Sequence, residues 1–494
     1  MAENTKIWPI FRWANGWISD DLFTGIKNSY YYSNNMEIRE DAKSIYPKPI
    51  PAYADSDKNI GIWTGYDKCK SVTLSDHDWW IVCWLHDIYS VTPWTRAKTL
   101  LCSLTEEICD LEIFNNYIYI STKQHLYYKK DDWNYWGDMA SSTDDSATYY
   151  GRCSESLKNN VNHPLYATDI CLCVGNCNKM MKVSKETPNL LEEWFKIQDE
   201  YFIRFINELG WFVRVTAVDE PYGSEILLWD KTSDAIQETI PLEWYSMLGS
   251  AIYNWYHYLL SNRGLGLLNW YQYYLLKKAE WGDLSTSIRN CMCVYDDKLF
   301  FVTSDKLYIY WAKNKNYADV LSVWHECEEW YSYWAIWGYI WGIMITRNGE
   351  YQLWGIMVWL NEWKATTGEV QTMCYYWTSM SEIKQSMYLR VGYHLGKEWD
   401  NSWDIHIYYR TEADATTDNP EDWQWHPVQE NDTGLSAARD MRSPFATTLK
   451  LNCRFQWIQF KFVLTNCVYT VWANTYTKDT NLYSADLYYN VMLD

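Results

Sequence analysis

Short apolar runs of about five residues, separated by polar turns, recur along most of the chain and predict strands joined in hairpins. Leu111 to Tyr128 reads LEIFNNYIYISTKQHLYY, with Asn115-Asn116 and Lys123-Gln124 dividing three such runs. Cys291 to Tyr310 repeats the plan as CMCVYDDKLFFVTSDKLYIY, with Asp296-Asp297 and Ser304-Asp305 in the turns. Fainter copies cover Ile170 to Val183, Tyr201 to Trp229, Met247 to Leu276 and Tyr333 to Trp354. The best helical candidate, Leu190 to Asn207, has irregular apolar spacing and runs straight into strand-like sequence.

Copies that begin roughly every 40 to 60 residues, each with several strands, have the period of propeller blades. One small sheet cannot cover both of its faces, and stacking against neighbours solves this. The pattern therefore predicts an all-β chain: an irregular six- to seven-bladed β-propeller over residues 56–376, followed by a C-terminal β-sandwich over 377–494. In the second part the strands lengthen, at Met387 to Leu395, Asp404 to Arg410, Phe455 to Leu464 and Asn481 to Met492. Glu412 to Ser443, rich in Asp, Thr, Asn, Glu and Pro, reads as long solvated connections. Residues 1–55 fit neither pattern; with three prolines in Ile45 to Tyr53 they read as an extended N-terminal arm.

Composition sharpens this picture. Aromatic residues reach 18%, with 43 Tyr and 33 Trp against only 21 Gly in 494 residues, and aromatic side chains favour strands. Several tryptophans stand where a tight turn wants glycine, notably Asn254-Trp255 and Asn269-Trp270, each between two aromatic-rich runs. Two explanations stay open: a Trp-rich surface, or a UGA codon that encodes glycine in the source and was translated as tryptophan. No binding role is assigned to any tryptophan.

The net charge of −20 repels phosphate backbones and anionic lipid, so nucleic acid is not an expected partner. The apolar stretch Tyr331 to Ile345 is shorter than a membrane span and broken by glycines, and the opening residues show no secretory signal. The 14 cysteines read as reduced, mostly buried thiols.

Motifs with chemical meaning are sparse. Cys171, Cys173 and Cys177 form C-x-C-x3-C, which lacks the second knuckle of a structural zinc site and reads as buried strand thiols, like Cys291 and Cys293. His325 near Cys327, Glu328 and Glu329 is the densest histidine cluster and reads as a surface loop. The acidic pairs Asp20-Asp21, Asp131-Asp132, Asp144-Asp145 and Asp296-Asp297 could serve as glycosidase carboxylates or calcium ligands, and their turn positions favour local hydrogen bonding instead. No catalytic, cofactor-binding or metal-binding residue is assigned, and the chain is expected not to be an enzyme.

Three phrases carry a family resemblance: Gly16 to Glu40 (GWISDD…G…SYYYSNNMEIRE), Glu225 to Asp230 (EILLWD) followed by Asn254 to Gly264, and RFQWIQFKFVLTN…NLYSADLYYNV near the carboxyl end. In these the chain resembles virion proteins of tailed bacteriophages, which have an arm, a propeller of irregular blades and a closing sandwich. It departs from them at the many Trp positions, and no functional residue is carried over. The resemblance implies a structural component of the tail or tail tip, made in the host cytoplasm, forming a homo-oligomer and contacting other virion proteins, with a host surface glycan as a further partner. The alternative is a carbohydrate-binding or glycan-degrading propeller protein.

Overall fold

The fold is that of a computed structural model. It describes residues 5–11, 30–34, 36–38, 44–47, 72–73, 80–84, 86–91, 98–130, 147–149, 163–219, 223–278, 292–295, 298–302, 306–311, 320–326, 334–339, 342–347, 353–357, 367–376, 380–395, 405–435, 445–471, 474–478 and 480–492. The acidic pairs named above, Cys291 and the Cys327-Glu328-Glu329 cluster lie outside these residues. Among the described residues the elements are strands and short 3-10 turns, without an α-helix. None is therefore a helix long and apolar enough to cross a membrane.

Compactness divides the chain in two. One unit comprises Met1–Ala52, Lys306–Cys327 and Val358–Asp494; the other comprises Tyr53–Asp305 and Glu328–Met357.

The unit built around Tyr53–Asp305 is a β-propeller. Its first sheet joins Val72–Thr73, Trp80–Trp84, Asp87–Val91 and Lys98–Ser103. The second joins Ile108–Phe114, Tyr117–Thr122, His125–Lys130 and Ala147–Tyr149, and the third Leu165–Ala167, Cys171–Asn176, Lys179–Ser184 and Leu191–Lys196. The fourth joins Phe202–Leu209, Phe212–Asp219, Gly223–Trp229 and Glu238–Glu243. The fifth joins Met247–Tyr253, Tyr256–Ser261, Gly264–Asn269 and Gln272–Lys278. A hairpin, Met292–Tyr295 with Lys298–Val302, and a three-stranded sheet, Trp334–Tyr339, Gly342–Arg347 and Leu353–Met357, follow. In all seven groups strands pair in chain order, and the first strand of each lies beside the first strand of the next.

Period-two alternation explains the stacking. Along Cys171–Asn176, Leu172 and Val174 pack with Phe114, Tyr119 and Leu126 of the second sheet. Cys171 and Cys173, on the opposite face, pack with Ile203, Val213, Val215, Leu227 and Trp229 of the fourth. Ile88 and Cys102 meet Leu111, Ile118 and Ile120 between the first and second sheets, and Ile226, Leu228 and Ile240 meet Met247, Leu259 and Leu268 between the fourth and fifth. Inner strands such as Cys171–Asn176 and Gly223–Trp229 are buried on both faces, which is why their runs look continuous rather than cleanly amphipathic, whereas the outer strands Leu191–Lys196 and Glu238–Glu243 are partly exposed.

The Leu190 to Asn207 segment is two strands, Leu191–Lys196 and Phe202–Leu209. Its irregular spacing has a cause: the pairing register shifts between Met180 and Met181, so the strand opposite breaks alternation there. Glu193 meets Lys179 at 2.7 Å and Glu192 meets Lys182 at 3.7 Å across the strand pair.

The other unit is a β-sandwich. Asn481–Val491 lies centrally in a seven-stranded sheet, flanked by Lys384–His394, Lys6–Phe11 and Ile45–Pro47. A five-stranded sheet runs Tyr30–Asn34, Thr367–Thr372, Ile458–Thr465, Ile405–Thr411 and His426–Pro427. Ile458, Phe460, Phe462 and Leu464 on one sheet, and Leu482, Ala485 and Leu487 on the other, are fully buried at alternate or near-alternate positions. The described amino-terminal strands are thus members of these sheets: Ile7 pairs with Tyr488, and Tyr30 with Thr372. Their inward residues Ile10, Met36 and Ile45 are buried.

Two outcomes follow from this packing. Leu259→Ala, which hollows the layer between the fourth and fifth sheets, should lower unfolding free energy by about 2–5 kcal/mol in urea titrations. Removing residues 1–47 strips strands from both sandwich sheets and should lower the sandwich melting temperature; melting at the full-length temperature would show those strands to be dispensable.

Candidate functional site

Two polar groupings stand out among the described side chains. The first lies in the otherwise apolar layer between the fourth and fifth propeller sheets. Asn207 and Arg214 are cross-strand partners on the fourth sheet, and Thr216 follows Arg214 on the same face. Asn207 Nδ2 donates to Ser250 Oγ of the fifth sheet at 2.6 Å, and Ser250 Oγ lies 2.7 Å from His257 Nε2.

His257 is wholly buried, and burial, aided by the positive charge of Arg214, pushes its pKa down to about 3. The imidazole is therefore neutral at ordinary pH. Among the described residues nothing hydrogen-bonds its Nδ1, nor the Nε and Nη1 of Arg214, nor Thr216 Oγ1. Burial also lowers the Arg214 pKa, against the opposing effect of Tyr271.

A serine beside a histidine invites a nucleophile reading, and the chemistry here opposes it. A general base works best with a pKa near the operating pH and with a third group orienting it. His257 has neither: its pKa is some units too low, no carboxylate holds Nδ1, and Arg214 disfavours the imidazolium that proton transfer would create.

The second grouping lies on the outer face of the five-stranded sandwich sheet. Tyr408 and Lys461 are cross-strand partners. The Lys461 ammonium lies 4.9 Å from the centroid of the Tyr408 ring and 4.9 Å from that of Trp425. Arg410, almost fully buried, stacks its guanidinium 4.3 Å from the Trp425 centroid and 4.9 Å from that of Trp423. Its Nε donates to Gln459 Oε1 at 2.6 Å and its Nη1 to Pro420 O.

Asp432 has both oxygens engaged, Oδ1 at 3.0 Å from His406 Nδ1 and Oδ2 accepting from the Tyr408 hydroxyl at 2.8 Å. Burial, then the hydrogen bond to Asp432, pushes the Tyr408 pKa up to about 12. Burial lowers that of Lys461, with Glu369 pulling it back up. Among the described residues Lys461 has aromatic rings around its ammonium and no hydrogen-bond acceptor.

A third contact is structural. Lys231 is buried and donates to Asp169 at 2.7 Å and Glu208 at 2.5 Å, fastening the third sheet's connection to the fourth sheet.

Cys171 and Cys173 sit on one face of their strand as free buried thiols, hydrogen-bonded to each other. Cys177 occupies the following turn and is disulfide-bonded, so the reading of the cysteines as reduced thiols does not hold at that residue. Cys293 is buried on Met292–Tyr295, and His325 lies in the strand Val320–Glu326. No group of three or more potential ligands is gathered for a metal among the described residues.

Sequence reading passed over Asn207, Arg214, Ser250 and His257. The available signal was a cationic or imidazole side chain at an inward slot of an alternating strand, as in FVRVTAV around Arg214 and YHYLLS around His257.

No protein-family model matches the chain, and no curated protein matches it. Solved structures do. A chain in the crystal structure of the mitotic checkpoint complex is 9% identical, with a TM-score of 0.45, over 63% of this chain and 97% of that one. The β-propeller domain of Cps50 (Swd1) from Myceliophteria thermophila is 9% identical, with a TM-score of 0.42, over 59% and 97%. The extracellular domain of the one-component system protein BT4673 from B. thetaiotaomicron is 12% identical, with a TM-score of 0.34, over 67% and 46%.

The His257 pKa sets a pH dependence. The unfolded chain takes up a proton near the ordinary 6.5, whereas the folded chain refuses it until about 3. Stability contributed by the neutral buried ring is therefore complete above 6.5 and declines as pH falls through that window. His257→Gln should flatten this part of the profile, read as a smaller difference between urea midpoints at about pH 7 and about pH 4.5. An unchanged difference would remove His257 from the account.

Proposed function

We propose that the chain is a structural, non-catalytic component of a tailed-phage particle, in the tail or tail tip, made in the host cytoplasm and assembling in several copies with other virion proteins. The observation that most supports a non-catalytic role is the wiring of the Ser250 and His257 pair, in which a neutral, unoriented imidazole sits against a cation. The phage setting is supported by the three sequence phrases. A stack of sheets joined by apolar layers suits a rigid mount, because its strands are paired side by side and leave short edges.

Contacts with neighbouring copies then fall to the connections between strands. Strand addition by the amino-terminal residues is not part of the proposal, since Lys6–Phe11 and Tyr30–Asn34 pair within the chain. Immunogold labelling of purified particles should place the protein at the tail, and light scattering of the isolated chain should give a multiple of the monomer mass. Particles free of the protein would overturn the virion reading.

A second reading, carbohydrate binding by the sandwich, is favoured by Lys461. Its ammonium is held between Tyr408 and Trp425 with no acceptor among the described residues, and Tyr408 donates to the Asp432 carboxylate. Aromatic faces stack on sugar rings, while Lys461 offers donors and Asp432 an acceptor to hydroxyls. On a glycan array Lys461→Ala should lose about tenfold in affinity, the worth of one hydrogen bond to a charged group. A reducing-sugar assay on any glycan bound distinguishes binding from cleavage, and an array without binding removes this reading.

A further inference from the structure

The strained turns of the propeller carry information about the chain itself. Among the described residues, Trp244, Trp255 and Trp270 have φ of 69°, 65° and 51°, in the left-handed region that bulky side chains avoid. Each stands where a defined turn wants glycine.

Asn254 (φ 47°) and Trp255 form the two-residue loop between the paired Tyr253 and Tyr256, so both central residues are left-handed, as in a type I′ turn. Trp270 is the first central residue between the paired Asn269 and Gln272, and Tyr271 is not left-handed, as in type II′. The second hairpin therefore lies one residue later than the Asn269-Trp270 pair that the sequence suggests: Asn269 remains in the strand. Tyr245 N donates to Leu242 O at 3.3 Å, which makes Trp244 the third residue of a turn with the left-handed third position of type II.

Elsewhere the chain fills such places differently. Gly210 (φ 64°) is the first central residue between paired Leu209 and Phe212, and Asn115 and Asn116 (φ 49° and 61°) close the turn between Phe114 and Tyr117. Other bulky left-handed residues have buried bonds to offset the strain. His163 Nδ1 meets Gly175 O at 3.1 Å, Lys231 has its two carboxylates, and Cys177 has its disulfide.

The three tryptophans have no such compensation. They are 63%, 81% and 67% exposed and, among the described residues, make no hydrogen bond or ring contact. Packed indoles behave differently: half-buried Trp194 and buried Trp229 both donate to Ser233 O, at 2.9 and 2.8 Å, and Trp423 donates to Thr417 O at 2.7 Å. Trp244, Trp255 and Trp270 thus differ from these indoles in both contacts and backbone, and from Trp211, which is 85% exposed and not left-handed, in backbone. The whole chain echoes this, with 33 Trp and 21 Gly where ordinary usage would give roughly 35 Gly.

We propose that positions 244, 255 and 270 are glycine in the protein as its source makes it, because they are encoded by UGA and that source reads UGA as glycine. The partner this requires is a glycine-charged tRNA that decodes UGA in the cytoplasm where the chain is made. The inference is independent of any phage role, since it concerns the translating cell whatever the protein does there.

The gene gives the first test. Codons 244, 255 and 270 should be UGA, whereas codons 194, 229 and 423 should be UGG; a UGG at any of the three turn positions overturns the proposal there. Peptide mass spectrometry of the protein isolated from its source should then find glycine at the UGA positions, and tryptophan found there would overturn it even with UGA in the gene. Trp244→Gly, Trp255→Gly and Trp270→Gly, made singly in the sequence as written, should each raise the melting temperature by roughly 2–4 °C. Trp229→Gly should lower it. If the chain as written does not fold, the codons and the peptide masses decide by themselves.

Discussion

A β-sheet has two faces, and the propeller unit follows from the need to cover both. A four-stranded sheet such as Cys171–Asn176 with its neighbours cannot form a core alone: Leu172 and Val174 leave one side, Cys171 and Cys173 the other. Each layer is completed by the next sheet along the chain, so packing order copies sequence order. Apolar burial at about 25 cal/mol per Å² makes these layers the dominant favourable contribution, and polar insertions into them are correspondingly conspicuous. Lys231 and the Asn207–Ser250–His257 chain are two places where this layer rule is broken. Lys231 has two carboxylates to offset its burial, whereas His257 escapes charge by giving up its proton.

The sandwich obeys the same constraint differently. Its two sheets cover one face each, which leaves the outer face of the five-stranded sheet free to hold Tyr408, Lys461, His406 and Trp425. Closing these sheets draws on strands far apart in sequence: Lys6–Phe11 beside Asn481–Val491, and Tyr30–Asn34 beside Thr367–Thr372. Such pairings carry a loop-closure entropy and make this unit dependent on distant segments meeting.

These differences determine what could be read from the sequence. Serial hairpins were legible because period two, turn residues and chain order coincide at Asn115-Asn116 and along Met247 to Leu276. The membership of Lys6–Phe11, Tyr30–Asn34 and Ile45–Pro47 in the sandwich was not legible, because pairing between segments hundreds of residues apart leaves no local mark; three prolines near Pro47 simply look extended. Leu190 to Asn207 misled through a register shift opposite it, at Met180 and Met181. The polar grouping between the fourth and fifth sheets was hidden by aromatic abundance, since a strand such as YHYLLS reads as apolar whether or not its histidine is buried.

The tryptophans separate two kinds of constraint that usually point to the same residue. Side-chain environment fixes Trp194, Trp229 and Trp423: each has a partner for its indole N–H, and Trp194 and Trp229 meet edge to face at 4.1 Å. Backbone environment marks out the other three: the paired flanking residues close two-residue turns at Trp255 and Trp270, the Tyr245 N to Leu242 O bond closes the turn at Trp244, and all three are left-handed. In an evolved sequence the residue at a left-handed turn position is selected by the backbone, and an exposed side chain there contributes nothing to oppose that selection. An indole kept at three such sites would need three separate reasons, none of which the surrounding contacts supply. A single change in the meaning of one codon accounts for all three and for the deficit of glycine in the same step.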